Sequence, residues 1–328
     1  MQVMTYRGTM LIALIFLATY SANARSAEPM PDRPLPWTVL GTASGPMLSA
    51  ERSQPANLMV VGSKPWLIDC GDGALERLSA VGYQPGQVDV VFISHLHLDH
   101  IGGLQGLIGL RWMRGNDHVL TIYGPPGIEQ VVAGLLQSLQ PSFLIVNSAG
   151  PQGAAPPTTV RVVTIQDGAD LVVGGVHVRA VRNAHFDKPA GHSLSPSTQS
   201  LSFRFDKDGY AVGYTGDTGP SDAVARLENG VDLLVSEVID IPGILGAAKV
   251  GNPNMAAGER ADLLTHLETQ HLTPANAGRM ATAAHAKRLV LTHLAVVGPT
   301  AAIEPTLLAG VHTTFDGDVA VAHDLDLF

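Results

Sequence analysis

The sequence predicts a mixed α/β protein, and three observations support that fold class. Short apolar, β-branched runs alternate along the chain with longer segments whose apolar residues recur at helical spacing. The chain has 328 residues, 45% of them hydrophobic and 15% charged, which suffices for one large layered core or two ordinary domains. One polar stretch, Phe92–Gly103, places three histidines and one aspartate within six residues, directly after an apolar run. Because ligand sites gather at the carboxyl ends of strands in α/β sheets, we expect a functional site there.

Residues 1–24 have the composition of a secretory signal peptide. Arg7 is their only charged residue, Met10–Tyr20 is uncharged and mostly apolar, and Ala22-Asn23-Ala24 offers small residues for cleavage. The apolar run is short for a membrane span, and a retained N-terminal anchor is the alternative. We therefore predict a periplasmic or secreted protein with no stable membrane insertion after the signal is removed.

The charge of the chain argues against a nucleic-acid partner. The formal net charge at pH 7 is −9, and it becomes −10 when the segment that carries Arg7 is removed. The sequence has no run rich in Lys or Arg, which are the residues that bind phosphate backbones. We expect a small-molecule substrate and no nucleic acid.

The cysteine content makes an internal disulfide impossible. Cys70 is the only cysteine, so the stability of an exported form must come from its core. Cys70 follows an apolar run, and we expect a buried thiol with no chemical role.

The first half of the mature chain is predicted to alternate strands with helices. The strands are Trp37–Leu40, Ala56–Val61, Pro65–Ile68, Val88–Ile93 and Val119–Tyr123, and the helices are Ala74–Val81, Leu104–Met113 and Ile128–Leu139. Gly41–Pro46 is a glycine-rich loop that lacks the Lys-Ser/Thr of a phosphate-binding loop. Residues 147–159 are a low-complexity loop, which could be a hinge between two halves.

The second half is predicted to begin at Val160. Its strands are Val160–Ile165, Asp170–Val173, Val176–Val181, Ser200–Phe205, Tyr210–Tyr214, Val231–Ser236 and Arg288–Thr292, and its helices are Ser221–Leu227, Met255–Thr269 and Pro274–Ala286. Three polar residues, His185, Asp217 and His293, each come just after a predicted strand. They can therefore converge at one edge of the core.

The spacing of the histidine-rich stretch suits metal binding. In an extended segment alternate side chains point the same way, so His95 and His97 can reach one ion. Asp99 and His100 follow a turn of the chain and can face a neighbouring ion. Imidazole and carboxylate are ligands for Zn²⁺, and Fe or Mn are possible alternatives.

The stretch from His95 to His100, HLHLDH, resembles the HxHxDH signature of the metallo-β-lactamase superfamily. The LGTASG and LIDCGDG stretches resemble the ribonuclease Z and arylsulfatase branch of that superfamily. This resemblance extends from Gly41 to about His323. It implies that residues 25–328 form a single hydrolase domain, a four-layer αββα sandwich of two similar halves packed sheet to sheet. Asp69 would support the HxHxDH loop from behind as a hydrogen-bond acceptor, and a turn-capping aspartate is the alternative.

The same resemblance implies a binuclear zinc site. One metal would be bound by His95, His97 and His185, the other by Asp99, His100 and His293, and both by a bridging Asp217. Asp99 is also counted among the catalytic residues. Two cations about 3.5–4 Å apart can share a hydroxide, which attacks an electrophilic carbon, phosphorus or sulfur.

A proton donor is predicted in the stretch QHLTPANA, Gln270–Ala277, which resembles the HSTxxxA stretch of ribonuclease Z. By that match His271 is a general acid paired with Glu237. The alternative is a surface histidine at the start of a helix whose N-cap is Thr273.

The expected activity is hydrolysis of small-molecule sulfate or phosphate esters, like that of arylsulfatases and phosphodiesterases. Ribonuclease Z carries a long basic arm between its third histidine and bridging aspartate, whereas His185 and Asp217 here are only 32 residues apart. A lactone or carboxylic-ester hydrolase of the same superfamily is the alternative, and a non-catalytic metal-binding protein is a third possibility. The apolar, glycine-rich stretch 240–258 is expected to cover the metals as a substrate wall, with a loose connector or an interface as alternatives. A homodimer is possible, because the family often forms dimers.

Overall fold

The computed structural model describes residues 33–145, 156–187 and 198–328. Within these ranges the strands form two sheets, one of six strands and one of seven. The six-stranded sheet follows chain order as β1 Trp37–Gly41, β2 Ala56–Val61, β3 Lys64–Cys70, β4 Val90–Phe92, β5 Leu120–Gly124 and β6 Val160–Thr164. The first three strands are antiparallel neighbours, and β3 to β6 run parallel.

The seven-stranded sheet contains the rest of the strands in chain order. They are β7 Asp170–Val173, β8 Val176–Arg182, β9 Leu201–Lys207, β10 Tyr210–Tyr214, β11 Leu233–Ile239, β12 Arg288–Ala295 and β13 Asp318–Val321. From β7 to β10 the pairing is antiparallel, and from β10 to β13 it is parallel. Each sheet therefore has a parallel part whose carboxyl ends lie on one edge.

Helices cover the outer faces of the two sheets. In the described ranges they are α1 Ala74–Ala80, α2 Leu98–Ile101, α3 Leu104–Met113, α4 Ile128–Ser138, α5 Gln140–Phe143, α6 Pro156–Thr159, α7 Asp222–Leu227, α8 Ile241–Gly251, α9 Ala257–Gln270, α10 Pro274–Ala283 and α11 Thr300–Val311. Helices α1, α3 and α4 pack on the first sheet, and α7, α10 and α11 pack on the second. The predicted αββα sandwich is confirmed. Among the described helices, none is long and apolar enough to cross a membrane.

The core between the sheets is rich in aromatic residues. Phe92 of β4 lies 5.7 Å from Phe203 and 5.5 Å from Phe205 of β9, measured between ring centroids. On β11, Leu233 and Val235 face this central core, while Leu234 faces the outer helices. Strands buried on both faces have continuous apolar sequences, which is why they were recognisable without an alternating pattern.

The sequence predicted that the second half begins at Val160, and this prediction is wrong. β6 pairs in parallel with β5, from Leu120 opposite Val160 to Gly124 opposite Thr164, so it completes the first sheet. The chain crosses to the second sheet between β6 and β7. The prediction of a loop over residues 147–159 is wrong for residues 156–159, which form helix α6. The rest of it, and the predicted signal peptide, lie outside the described residues.

The stretch 240–258 contains a helix where the sequence suggested a loop. Helix α8 covers Ile241–Gly251 and has Pro242 in its first turn. Ile244 and Leu245 of α8 and Leu263 and Leu264 of α9 pack against one buried cluster, which contains Ile241 of α8 and Leu267 of α9. Apolar contacts between the two helices outweigh the low helix propensity of the glycines.

Strands β11 and β12 continue past the polar residues that were predicted to end them. Opposite Thr292 lies Glu237, and opposite Leu294 lies Val238, so His293 is an extra residue in β12. Its φ of 43° is in the left-handed region. This β-bulge turns the His293 side chain out of the regular alternation, an arrangement that is frequent next to functional sites.

Candidate metal centre

The loop after β4 brings His95 and His97 to a common point. Nε2 of His95 lies 3.0 Å from Nδ1 of His97. His185, in the loop after β8, places its Nε2 3.1 Å from the same Nδ1 of His97. These three ring nitrogens lie together, and we call them the first donor group; their role as metal ligands stays a prediction.

Asp99, His100 and His293 form the second donor group. Helix α2 begins directly after His97, and its turn carries Asp99 and His100 away from the first group. The Oδ2 atom of Asp99 lies 3.5 Å from Nε2 of His100 and 3.6 Å from Nε2 of His293. The bulge in β12 supplies His293 from the opposite sheet.

Asp217 lies between the two groups. One carboxylate oxygen is 3.3 Å from Nε2 of His100, and the other is 3.1 Å from Nε2 of His293. The second oxygen is also 3.8 Å from Nε2 of His95. Gly216, with φ 56°, precedes Asp217, and a Cβ there would lie 3.1 Å from Cβ of Ser94. The glycine therefore lets the end of β10 approach the histidine-rich loop closely.

The two donor groups fit metal ions. In the described part of the chain, Nε2 of His100, Oδ1 of Asp217 and both ring nitrogens of His293 are buried without a hydrogen-bond partner. Each unsatisfied buried polar atom costs about 1–3 kcal/mol, so such a cluster points to a missing partner. Nitrogen and carboxylate donors at one place suit a borderline divalent cation.

The protonation states of three donors, His95, His185 and Asp217, also suit a cation. Burial lowers the pKa of His95 well below its usual range and that of His185 to about 3, which keeps both imidazoles neutral. Burial opposes ionisation of Asp217, but His293 and His100 hold its pKa well below the usual range. Neutral imidazole and ionised carboxylate are the forms that bind metal.

Asp69, on β3, supports the histidine-rich loop as predicted. Its carboxylate accepts hydrogen bonds from the backbone N–H of Ser94 at 2.7 Å and from Nδ1 of His100 at 2.8 Å. The hydroxyl of Tyr214, on β10, donates to it at 2.7 Å. With Nδ1 of His100 engaged, Nε2 is left to face the metal site. The sequence carried no signal for Tyr214, because its partner is 145 residues away.

His271 and Glu237 form a pair beside the donor groups. Nδ1 of His271 donates to Oε2 of buried Glu237 at 2.8 Å, and the N–H of Thr218 donates to Oε1. Burial alone would lower the pKa of His271, but the Glu237 carboxylate raises it to about 9. The His271 ring centroid is 5.0 Å from that of His185.

His271 lies between two helices, where the sequence placed it. It is the C-cap of α9, and Thr273 is the N-cap of α10, as predicted. A surface location is excluded, since the side chain is only 12% exposed.

Two contacts at the site were not foreseen. Phe186, which follows His185, has its ring 5.3 Å from that of His97, so it forms an aromatic wall. Gly45 donates its backbone N–H to Oδ2 of Asp99 at 2.8 Å. A Cβ at Gly45 would lie 2.6 Å from that oxygen. The glycine-rich loop therefore holds Asp99 rather than a phosphate.

Cys70 is buried in the core behind the first sheet, as predicted. Burial raises the pKa of its thiol to about 12. The thiol therefore stays protonated and takes no part in the chemistry of the site.

Comparison with known proteins supports the resemblance seen in the sequence. A family model described as Beta-lactamase superfamily domain matches residues 66–294. Ribonuclease Z of Mycobacterium bovis (strain BCG / Pasteur 1173P2) is 30% identical over 302 residues, which cover 88% of this chain and 95% of the relative.

Two solved structures show the same fold. The metallo-beta-lactamase fold protein YhfI from Bacillus subtilis has a TM-score of 0.65 at 24% identity, covering 90% of this chain and 99% of its own. The short form of human tRNase Z has a TM-score of 0.60 at 22% identity, covering 89% of this chain and 98% of its own. The names ribonuclease Z and tRNase Z refer to RNA, which counts against the expectation that this chain has no nucleic-acid partner.

Proposed function

The chain belongs to the beta-lactamase superfamily, and from this premise we propose that it is a metal-dependent hydrolase of small phosphodiesters. The observation that carries the proposal is the convergence of two donor groups on one carboxylate, Asp217. A proton donor, His271, lies beside them. Hydrolysis of an ester needs a stabilised negative charge and a protonated leaving group, and this arrangement offers both.

The residues divide the work between two cations. His95, His97 and His185 would hold one zinc ion, and Asp99, His100 and His293 the other, with Asp217 shared between them. When bound, such a pair of cations activates water and stabilises the charge that develops on phosphoryl oxygens. The hydrogen bonds to Asp69 and to the Gln270 carbonyl, which accepts from Nδ1 of His185 at 3.1 Å, fix the orientation of two histidines.

His271 would donate a proton to the leaving group. Nδ1 is engaged by Glu237, which leaves Nε2 as the nitrogen that can reach a substrate. Glu237 is itself held by the N–H of Thr218, so it orients the imidazole and stabilises its charged form. His271, held by Glu237, would protonate the leaving group, while the metal ligands would hold the cations that stabilise charge on the phosphoryl group.

Phosphodiesters are favoured over sulfate and carboxylic esters by the relatives. Ribonuclease Z is by name an enzyme that acts on RNA, whose backbone is a phosphodiester. A small diester fits the acidic charge of −9 better than a polyanionic RNA does. The predicted signal peptide would also separate the protein from cytoplasmic RNA. Export and homodimer formation both stay predictions.

Cleavage of RNA is the second candidate, and the match to ribonuclease Z favours it. The same donor groups and the same acid would serve both substrates. Contacts outside the metal centre would decide between a small phosphodiester and RNA, so the two substrates must be compared directly.

The test combines metal analysis with a panel of substrates. The purified chain is expected to hold about two zinc ions and to hydrolyse bis(4-nitrophenyl) phosphate faster than 4-nitrophenyl sulfate, 4-nitrophenyl acetate or a lactone. A precursor tRNA with a 3′ extension serves as the RNA substrate. Faster cleavage of the tRNA than of the small diester would identify RNA as the substrate. A chain that binds no metal after reconstitution would overturn the mechanism.

A further inference from the structure

A cavity of about 330 Å³ is lined by residues of the segments that flank Gly45 and follow His293. Its walls come from three segments: the glycine-rich loop and the residues after it, the chain following His293, and helix α8. The lining residues used below are Ala43, Met47, Leu48, Ala247, Leu294 and Val297. A cavity of roughly 150 Å³ holds benzene, so this one has room for a ring with substituents.

The walls of the cavity are attached to two predicted metal ligands. Leu294 directly follows His293, and its N–H donates to the carbonyl of Thr42 at 2.7 Å. Gly45, two residues after Ala43, donates its N–H to Asp99 at 2.8 Å. The cavity therefore adjoins the Asp99 and His293 side of the centre.

The chemistry of the cavity is mainly apolar. Leu48 is 84% exposed, and Met47 and Val297 are also exposed large hydrophobic residues, so three of them lie at its mouth. The guanidinium of Arg52, a charged lining residue, donates from Nη1 to the carbonyl of Gly298 and to Oγ1 of Thr300. Arg52 thereby ties the two wall segments together. An apolar occupant would remove this surface from water.

We propose that this cavity is the subsite for the apolar ester group that stays on phosphorus, so that the substrates are aryl or alkyl phosphodiesters. The inference rests on the proposed phosphodiesterase function and specifies which ester groups the enzyme prefers. The retained group enters between Leu48 and Val297, while the leaving group faces His271. Substrates with a larger apolar retained group bind more tightly.

The test holds the leaving group constant. Methyl 4-nitrophenyl phosphate and phenyl 4-nitrophenyl phosphate both release 4-nitrophenolate, and their kcat/KM values are divided by their uncatalysed rates. We expect the phenyl ester to be preferred by about ten- to a hundredfold, since each buried CH₂-sized group contributes about fourfold and two or three such groups together give that range. Equal corrected values would overturn the subsite.

Two matched variants locate the effect. Ala247→Phe adds a ring inside the cavity, and Ala248→Phe adds the same ring at the next position of α8, which does not line it. Ala247→Phe should remove the preference for the phenyl ester and keep turnover of the methyl ester. Ala248→Phe should keep both, and an equal loss in the two variants would contradict the assignment.

A binding measurement separates this inference from the proposed function. Fluorescence titration with 2-naphthylphosphonate, which has no ester bond, needs no turnover. Binding that weakens in Ala247→Phe and persists in Ala248→Phe supports the subsite even if no diester is hydrolysed, in which case only the proposed function fails. Turnover of diesters together with equal naphthylphosphonate binding in all three proteins overturns the subsite alone.

Discussion

The two sheets contribute to the metal centre in different ways. The first sheet supplies His95, His97, Asp99 and His100 from one loop and one helical turn, which Asp69 binds at Ser94 and at His100. The second sheet supplies His185 and Asp217 from the segments after β8 and β10, and His293 from the bulge within β12. The first contribution depends on local geometry and one acceptor, whereas the second depends on strand register and on a bulge. We call the two contributions the first and the second region. Substitutions in the second region should therefore reduce metal binding at both donor groups, whereas substitutions of residues that support the first region should reduce metal affinity only moderately.

The largest effect is expected from Asp217→Asn, which tests the second region. Loss of the shared carboxylate charge weakens both donor groups, so metal content should fall below two per chain and kcat/KM should drop by more than about 10⁴-fold. Elemental analysis and turnover of bis(4-nitrophenyl) phosphate measure this. Asp208→Asn, in the turn between β9 and β10, is the matched control and should change neither. Full metal content with near-normal turnover in Asp217→Asn would refute the shared-ligand role.

His271→Ala should have the next largest effect, and only on poor leaving groups. A general acid contributes about 10²- to 10⁴-fold when the leaving alkoxide needs a proton, and little for 4-nitrophenolate. The measurement is kcat/KM for an alkyl diester against bis(4-nitrophenyl) phosphate, with metal content unchanged. His118→Ala, whose side chain is 71% exposed, is the control. An equal loss on both substrates would show that His271 acts on the metals instead.

Asp69→Asn should have a moderate effect and tests the first region. The amide keeps the shape but loses the charge that holds Nδ1 of His100 and Ser94, so metal affinity should fall about 10- to 100-fold. Competition with a zinc indicator measures the affinity. Unchanged affinity would mean that the loop holds its shape without Asp69.

Tyr214→Phe should have the smallest effect and tests the contact between the two regions. The variant removes one hydrogen bond to a charged group and leaves the ring in the core, so the free energy of unfolding should fall by about 1–3 kcal/mol. Denaturant unfolding measures this, and turnover should fall only severalfold. Phe203→Leu, which changes a buried ring of the same core without touching Asp69, provides the comparison. A loss of zinc affinity as large as that of Asp69→Asn would show that Tyr214 positions the loop by itself.

Much of the fold could be predicted because its strands are buried and its site residues follow them. Leu104–Met113, Asp170–Val173 and Tyr210–Tyr214 have the predicted limits. Helix α11 and strand β13 were missed, since neither carries a polar motif or a clear period. Strands β11 and β12 were ended too early, because Glu237 and His293 looked like loop residues and the bulge depends on pairing between strands.

For the site, the chain order of the donors was predictable, but the contacts behind them were not. The HxHxDH spacing and the positions after strands indicated which residues converge. The bonds from Tyr214 to Asp69 and from Gly45 to Asp99 join residues far apart in the sequence, so only the packed sheets reveal them. The helical state of residues 241–251 likewise depends on packing against α9.

The hydrogen bond from Gly45 to Asp99 links substrate binding to metal binding. The loop that carries Gly45 walls the cavity on one side and holds a predicted ligand on the other. An occupant that orders this loop would raise the affinity of the Asp99 side for its metal, and by thermodynamic reciprocity the metal would raise the affinity for the occupant by the same factor. Cooperative loading of metal and substrate is the consequence, so apparent zinc affinity should rise when the cavity is filled.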